Sequence, residues 1–421
     1  MVFYCNQLAM RSLVPTVPNP EPEPEPEPPT LRRAPLALFA CASGTSVANV
    51  YFAQPLLDAL AAEFGIGQGA AGGVIAATQA GCALALLLVV PLGDRYARRP
   101  LMLWQAGTLL VALLAVAAAP TLPTLLAGML AVGLLGTAMT QGLIAYAAAS
   151  AAAAERGRVV GAAQAGVVIG LLLARVLAGV IADLAGWRGI YAVSAALTLI
   201  LLLWLRRALP VLPAPALPPS YAALLRSMLQ MLAHERVLQI RGGIALLMFA
   251  SFSVFWTALV LPLSAEPHAY SHAAIGAFGL VGAIGALAAA RAGRWADRGW
   301  AQRSSGLMLA LLLASWLPLA LGMRWLTALI LGIVALDIAG QAIHVINQSL
   351  IFRGDAQAHS RRVAGYMLFY ALGSGLGAIA ATALYAHAGW MGVCVLGAAT
   401  SAAALLFWAA TLRWMPAEPV G

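Results

Sequence analysis

Asp337, Gln341, His344 and Gln348 follow the spacing i, i+4, i+7, i+11, which sets four polar side chains on one face of a helix. The surrounding residues are leucine, isoleucine, valine, alanine and glycine, so the stripe is polar on an otherwise apolar element. A carboxyl, an imidazole and two amides in line can hold a proton and offer hydrogen bonds to a small solute. A second charge, Arg175, lies inside another apolar block. If both blocks cross a bilayer, Asp337 lies roughly 21 Å and Arg175 roughly 25 Å from the inner end of its helix at ~1.5 Å per residue. An isolated charge at such depth costs at least ~2.5–3.5 kcal/mol, so neither is expected to face lipid. Asp337 is expected to carry a coupling proton, with Arg175 or the solute competing for its carboxylate. Further candidates for contact with a solute are Asn49, Tyr51 and Gln54 ahead of Pro55, then Gln141, Trp256, Asn347, Tyr366 and Tyr370.

The elements that must hold these residues follow from composition. Of 421 residues 62% are hydrophobic and 9% charged, with a mean hydropathy of +0.88. A soluble domain carries roughly a quarter charged residues, so that class is excluded, as is a disordered chain. Apolar blocks long enough to span recur over 36–57, 70–92, 101–119, 124–147, 159–182 and 189–205, then 239–263, 273–290, 305–322, 326–350, 364–385 and 391–412. The expected fold is an all-α membrane protein of twelve transmembrane helices in two pseudo-symmetric six-helix bundles. All 24 basic residues are arginine. With a cytoplasmic N-terminus, 21 of them fall on inner loops and tails and only Arg188 and Arg324 on outer loops, as the positive-inside rule demands. The net charge of +9 therefore reflects membrane orientation and not nucleic acid. The four cysteines are scattered, which gives no metal site, and no cofactor is expected.

Residues 1–34, with an alternating Glu-Pro run, are expected to be a disordered cytoplasmic tail. Residues 35–205 form the first bundle and 206–238 a proline-rich central cytoplasmic loop ending in an amphipathic piece. Residues 239–412 form the second bundle and 413–421 a cytoplasmic tail. The bundles repeat: Asp94 and Asp297 are 203 residues apart, and Gly186 to Gly389 and Gly170 to Gly373 share that offset. Duplicated halves of this kind mark secondary transporters, with the site between halves near mid-membrane.

The loop Gly93-Asp94-Arg95-Tyr96-Ala97-Arg98-Arg99 resembles the signature of the major facilitator superfamily, and Gly293-Arg294-Trp295-Ala296-Asp297-Arg298 resembles its second copy. The segment Asn49–Leu57, and Leu336-Asp337 with Gln341, His344, Asn347 and Gln348, resemble the bacterial group related to drug:proton antiporters. The resemblance implies that Gly93, Asp94, Arg95, Arg98, Arg99, Gly293, Asp297, Arg298 and Arg303 gate the cytoplasmic side, where they latch the halves in the outward-open state. It also implies that Gly157, Gly166 and Gly170 pack span five. Leu171 replaces the proline of that motif, and Ala174 and Arg175 replace its paired glycines.

A transporter is the leading expectation: proton-coupled efflux of a small amphipathic or sugar-like compound, by a monomer in a bacterial inner membrane with both termini cytoplasmic. Proton-coupled uptake is the alternative. An enzyme lacks a catalytic constellation such as HExxH, GxSxG or a Walker loop, and a channel would need a ring of like side chains.

Overall fold

A computed structural model describes residues 33–152, 154–212, 220–285, 294, 296–351 and 359–415. The first half contains α1 (Arg33–Ala48), α2 (Leu57–Phe64), α3 (Gly72–Leu84), α4 (Arg98–Ala117), α5 (Leu122–Ser150) and α6 (Arg156–Ala208). A connecting helix α7 (Tyr221–His234) follows. The second half contains α8 (Arg236–Ala258), α9 (Val260–Ser264), α10 (His272–Val281), α11 (Ala301–Ala314), α12 (Trp316–Leu321), α13 (Leu326–Ile351) and α14 (His359–Thr411).

Local chemistry sets the helix ends. Ser220 and Ser271 accept the N–H groups of Ala223 and Ala274 at 3.2 Å and start α7 and α10, while Thr121 and Thr124 form a reciprocal cap on α5. Eight described helices are long and apolar enough to cross a membrane, and Leu36–Ala48 and His272–Gly285 are shorter apolar helices. Two of the eight, α6 and α14, have 53 residues each and turn at one residue, Gly186 (φ 71°) and Gly389 (φ 59°). Each is long enough to supply two crossings, which with the two shorter apolar helices corresponds to the twelve sequence spans. The outer loops expected after spans five and eleven are thus reduced to a glycine in a backbone region that L-residues avoid. Trp187 and Trp390, each next to its glycine, are buried and donate from Nε1 to Glu63 and to the Leu319 carbonyl, the latter at 2.9 Å.

Span one is broken, as Pro55 suggests: α1 stops at Ala48, and Gln54–Leu56 form a short 3-10 turn before α2. Span two likewise leaves regular α geometry after Leu84 and ends in a 3-10 turn carrying Pro91.

Glycine carries the tightest crossings. A Cβ on Gly166 would sit 2.0 Å from the Ala40 carbonyl oxygen and one on Gly170 2.2 Å from that of Gly44, so α1 and α6 touch backbone to backbone. The second half repeats this between α8 and α14, where a Cβ on Gly373 would lie 2.1 Å from the Leu246 oxygen. Gly157 is exposed and would meet no atom within 4 Å, so it contributes nothing to this packing.

The halves meet along α6 with α10 and α3 with α14. In the 203-residue repeat, spans two and five correspond to spans eight and eleven, so the pseudo-twofold exchanges these two contacts. Helix α7 touches both halves: Tyr221 donates to the Leu88 carbonyl at 2.8 Å, while Arg361 and Arg362 of α14 bind Ser227 and Glu235.

Candidate functional site

Arg175 and Asp337 come from opposite halves, α6 and α13, and are 4% and 3% exposed. Helix α10 lies between them. Glycines 276 and 279 of α10 and glycines 282 and 285 just after it recur every third residue. A Cβ on Gly276 would strike the Arg175 carbonyl oxygen at 2.3 Å, and one on Gly279 would lie 3.3 Å from the Arg175 Cβ. One turn further, a Cβ on Gly282 would lie 2.8 Å from Asp337 Oδ2 and one on Gly285 2.8 Å from the Asp337 Cβ. The missing side chains let both charges lie at the seam between the halves and not against lipid.

The two charges are within electrostatic reach of each other, yet no ion pair within 4.0 Å joins them. Arg175 donates from Nε to Gln54 Oε1 at 3.0 Å, and its guanidinium lies 4.1 Å over the Trp256 ring and 5.6 Å from that of Tyr51. Such stacking on a desolvated guanidinium stabilises by about 2 kcal/mol or more. The break in span one is what brings Tyr51 and Gln54 to Arg175, irregular backbone serving a protein-lined site. Asp337 Oδ2 and Trp256 Nε1 are both buried without a hydrogen-bond partner. The indole faces the carboxyl, but in no geometry that makes the bond.

An aromatic wall continues from this pair. The Tyr51 and Tyr370 hydroxyls touch across the halves. Phe249 stacks edge-on to Tyr370 at 4.2 Å and to His344 at 5.3 Å. His344 Nδ1 is 3.0 Å from the Tyr366 hydroxyl and its Nε2 is 3.2 Å from Gln348. The polar stripe of α13 therefore divides. Asp337 faces α10 and the Arg175 cluster, while His344, Gln348 and Tyr366 form a network that Asn347 joins by donating to the Tyr366 hydroxyl at 3.5 Å. Asn347 is fully buried and accepts from Arg241, which also donates to Ser305 and Gln302, so it belongs to a structural cluster of the second half. Asn49 is spent too: its amide donates to the Thr45 carbonyl and accepts from Ser194, both in the first half. Gln141 and Gln341 are half-buried and bond to no described residue.

A family model, Major Facilitator Superfamily, matches residues 36–353. The chain belongs to the major facilitator superfamily. It is 38% identical over 385 residues to the uncharacterized transporter YgaY of Escherichia coli O157:H7, covering 90% of this chain and 95% of the relative. It is 31% identical over 384 residues to "Probable transporter SCO4007" of Streptomyces coelicolor, covering 89% and 86%. A bacterial homolog of the human lysosomal transporter Spinster, solved inward-facing and unoccupied, superposes with a TM-score of 0.70 at 14% identity over 92% and 98% of the two chains. This protein is thus a multi-pass membrane transporter of the superfamily type.

In the first superfamily signature, Arg98 and Arg99 bond to carbonyls of their own half: Arg98 to those of Gly93 and Ala145, and Arg99 to that of Arg206 at 2.7 Å. Arg95 lies 5.7 Å from the Tyr96 ring. Asp94 is exposed and makes no ion pair within 4.0 Å with a described residue. It borders a small inner cleft with Met228 of α7 and Arg361 of α14. In the second copy Gly293 and the side chain of Asp297 lie outside the described residues, and Arg298 and Arg303 are exposed.

The opposite end, away from the arginine-rich loops and here termed outer, is closed. His272 of α10 sets Nε2 3.1 Å from Asp58 and Nδ1 3.1 Å from Asp183, so one imidazole joins the second half to two carboxylates of the first. Asp183 also accepts the N–H groups of His272 and Ala273, at the start of α10. The hydrogen bond that His272 donates to Asp58 pushes the His272 pKa up, and the charges of Asp58 and Asp183 add to this against the opposing effect of burial. Thr382 of α14 and the backbone of Gly72 in α3 make a second outer contact at 3.1 Å. The histidine cluster is absent from the sequence-based candidates because Asp58, Asp183 and His272 are far apart in the chain. The one local signal is a histidine just after the Ser271 cap of an apolar helix.

Proposed function

We propose that this chain is a proton-coupled secondary transporter that moves a small solute by alternating access, with Asp337 carrying the coupling proton. The observation that carries the reading is a carboxyl 3% exposed, at the seam between halves, with one oxygen unpartnered and no cation in contact. A buried acid without an ion-pair partner is one that a proton can stabilise, and a movement of the halves would change its access to water. Arg175 supports this reading by supplying a nearby opposite charge for which a solute and the Asp337 carboxylate can compete. Tyr51, Gln54, Trp256, Tyr370, Gln341 and His344 line the path, with Gln141 and Tyr366 behind them. The arginine distribution supports an inner-membrane orientation with both termini cytoplasmic, and the outer closure supports a resting state sealed on that side. Residues 35–205 and 239–412 act as the two moving units, and a monomer contains the whole site. The same site serves efflux or uptake, since direction follows the gradients.

The test is flux in proteoliposomes under an imposed pH gradient across a panel of small solutes. Wild-type protein accumulates or expels a solute in response to the gradient, with saturation and counterflow. Asp337→Asn loses gradient-driven movement while exchange at equal pH persists. Undiminished gradient-driven flux in that variant refutes the assignment.

A further inference from the structure

We infer that Arg175 and Trp256 form the anchor for a carboxylate-bearing organic anion, loaded together with the proton on Asp337. This rests on the proposed role of Asp337 and adds the class of solute and the sense of the coupling.

Several hydrogen bonds at this site are left unmade. Arg175 uses Nε on Gln54, and its terminal amino groups reach no acceptor among the described residues. Trp256 Nε1 and Asp337 Oδ2 are buried and unpartnered. Buried polar groups are almost always satisfied, and those that are not call for a missing partner. Guanidinium and indole are donors only. With a proton on it, Asp337 becomes a donor as well. Three donors from two halves then border the same seam, and a carboxylate, with about four lone-pair sites on two oxygens, has acceptors enough for all of them. A neutral amide or an ammonium cannot. The walls next to the anchor are aromatic: Tyr51 beside the guanidinium, Phe252 with ring centre 6.3 Å from Trp256, then Phe249 and Tyr370. These suit a planar apolar body.

The charges fix the coupling. The groups facing Asp337 are Arg175 from α6, Trp256 from α8 and the uncharged glycines just after α10. Tyr51 and Tyr370 lie further around Arg175, and His344 is two turns along α13. Protonated, the site carries the single positive charge of Arg175 and attracts an anion. Ionised, Asp337 would oppose a second carboxylate at short range. Anion and proton therefore favour each other, and by reciprocity each raises the affinity for the other. Solutes that favour each other on one carrier move together, so the geometry points to proton–anion cotransport and not exchange.

The test uses the purified full chain in lipid nanodiscs with three probes of similar shape: benzoate, benzamide and benzylamine. Binding is read from tryptophan fluorescence and thermal shift. Benzoate binds in preference to the other two, and about tenfold more tightly at pH 5.5 than at pH 8, within the usual range of site coupling. Asp337→Asn keeps benzoate binding, because the amide still donates, and loses the pH dependence. Arg175→Gln loses benzoate binding, and Trp256→Phe, which keeps the ring and deletes the donor, weakens it. If Arg175→Gln does not fold, Trp256→Phe and the wild-type probe series decide. Equal binding of benzamide or benzylamine, or no benzoate binding at millimolar concentration, overturns the anion anchor. A pH dependence retained in Asp337→Asn overturns the co-loading. The proposed function falls on a different result, gradient-driven flux that ignores Asp337→Asn, so the two failures are distinct.

Discussion

Two clusters join the halves, and they are built in opposite ways. At the outer rim, both ring nitrogens of His272 and both oxygens of Asp183 are hydrogen-bonded, and Asp58 completes the set. At the centre, Arg175, Asp337 and Trp256 sit together and leave donors and an acceptor unused. A neutral imidazole has one donor and one acceptor, so His272 satisfies two carboxylates only as the cation. The rim is thus complete as it stands and holds a closed state. The centre is incomplete without something added, which is the character of a site and not of a brace. Breaking a complete cluster should shift conformation, whereas breaking an incomplete one should change what binds.

The largest effect is expected at the centre. Asp337→Asn should reduce pH-gradient-driven flux to background in proteoliposomes while leaving the thermal midpoint near wild type, because it removes charge and no packing. Next come the glycine crossings that position both clusters. Gly170→Leu should lower stability by about 1–3 kcal/mol or block folding, through overpacking against the Gly44 carbonyl. Gly157→Leu, which meets no atom within 4 Å, should leave the denaturation midpoint unchanged. The rim comes third. The His272 pKa in the closed form is raised, chiefly by the Asp58 hydrogen bond. Its support for closure is therefore complete below the ordinary histidine value of about 6.5 and is lost as pH rises through the raised value. A cysteine placed at Leu60, buried on the outer side, should react several-fold faster with an impermeant maleimide at alkaline pH than at pH 6, each rate taken relative to that of the same cysteine in denatured protein at that pH, because the thiolate itself forms as pH rises. On that relative scale His272→Ala should react fast at both; a pH response surviving in that variant would exclude His272 as its cause. The smallest effect is expected at Glu63, which receives Trp187 and Arg188 beside the Gly186 turn. Those two donors hold its pKa below the usual carboxylate value, Arg188 being the stronger. Its side chain is 39% exposed, so Glu63→Gln should cost no more than about 1 kcal/mol by thermal denaturation.

The architecture was readable because its signals are long or duplicated. Apolar blocks mark the spans, and the shared offset of Asp94, Gly170 and Gly186 marks the two halves. That both Ala-Gly-Trp repeats would be single-residue turns inside 53-residue helices was not readable, since local spacing does not reveal a positive φ. At the centre, the cost of burying charge was enough to single out Asp337 and Arg175. Sequence placed Asn49 and Asn347 with them as polar residues in spans, but could not tell an amide satisfied by Ser194 or Arg241 from one open to a solute. The glycines in and just after α10 carried a signal, a period of three, that is easily taken for ordinary helix packing. Their meaning appears only once Arg175 is seen on one side and Asp337 on the other.

The central claim is that Asp337 exchanges a proton with water from its place between the halves. Infrared difference spectra of the full chain in bilayers, titrated between about pH 5 and pH 9, measure this without knowledge of the solute. A carbonyl band of a protonated carboxyl should appear on acidification and be missing in Asp337→Asn. A spectrum identical in wild type and variant across that range would contradict it.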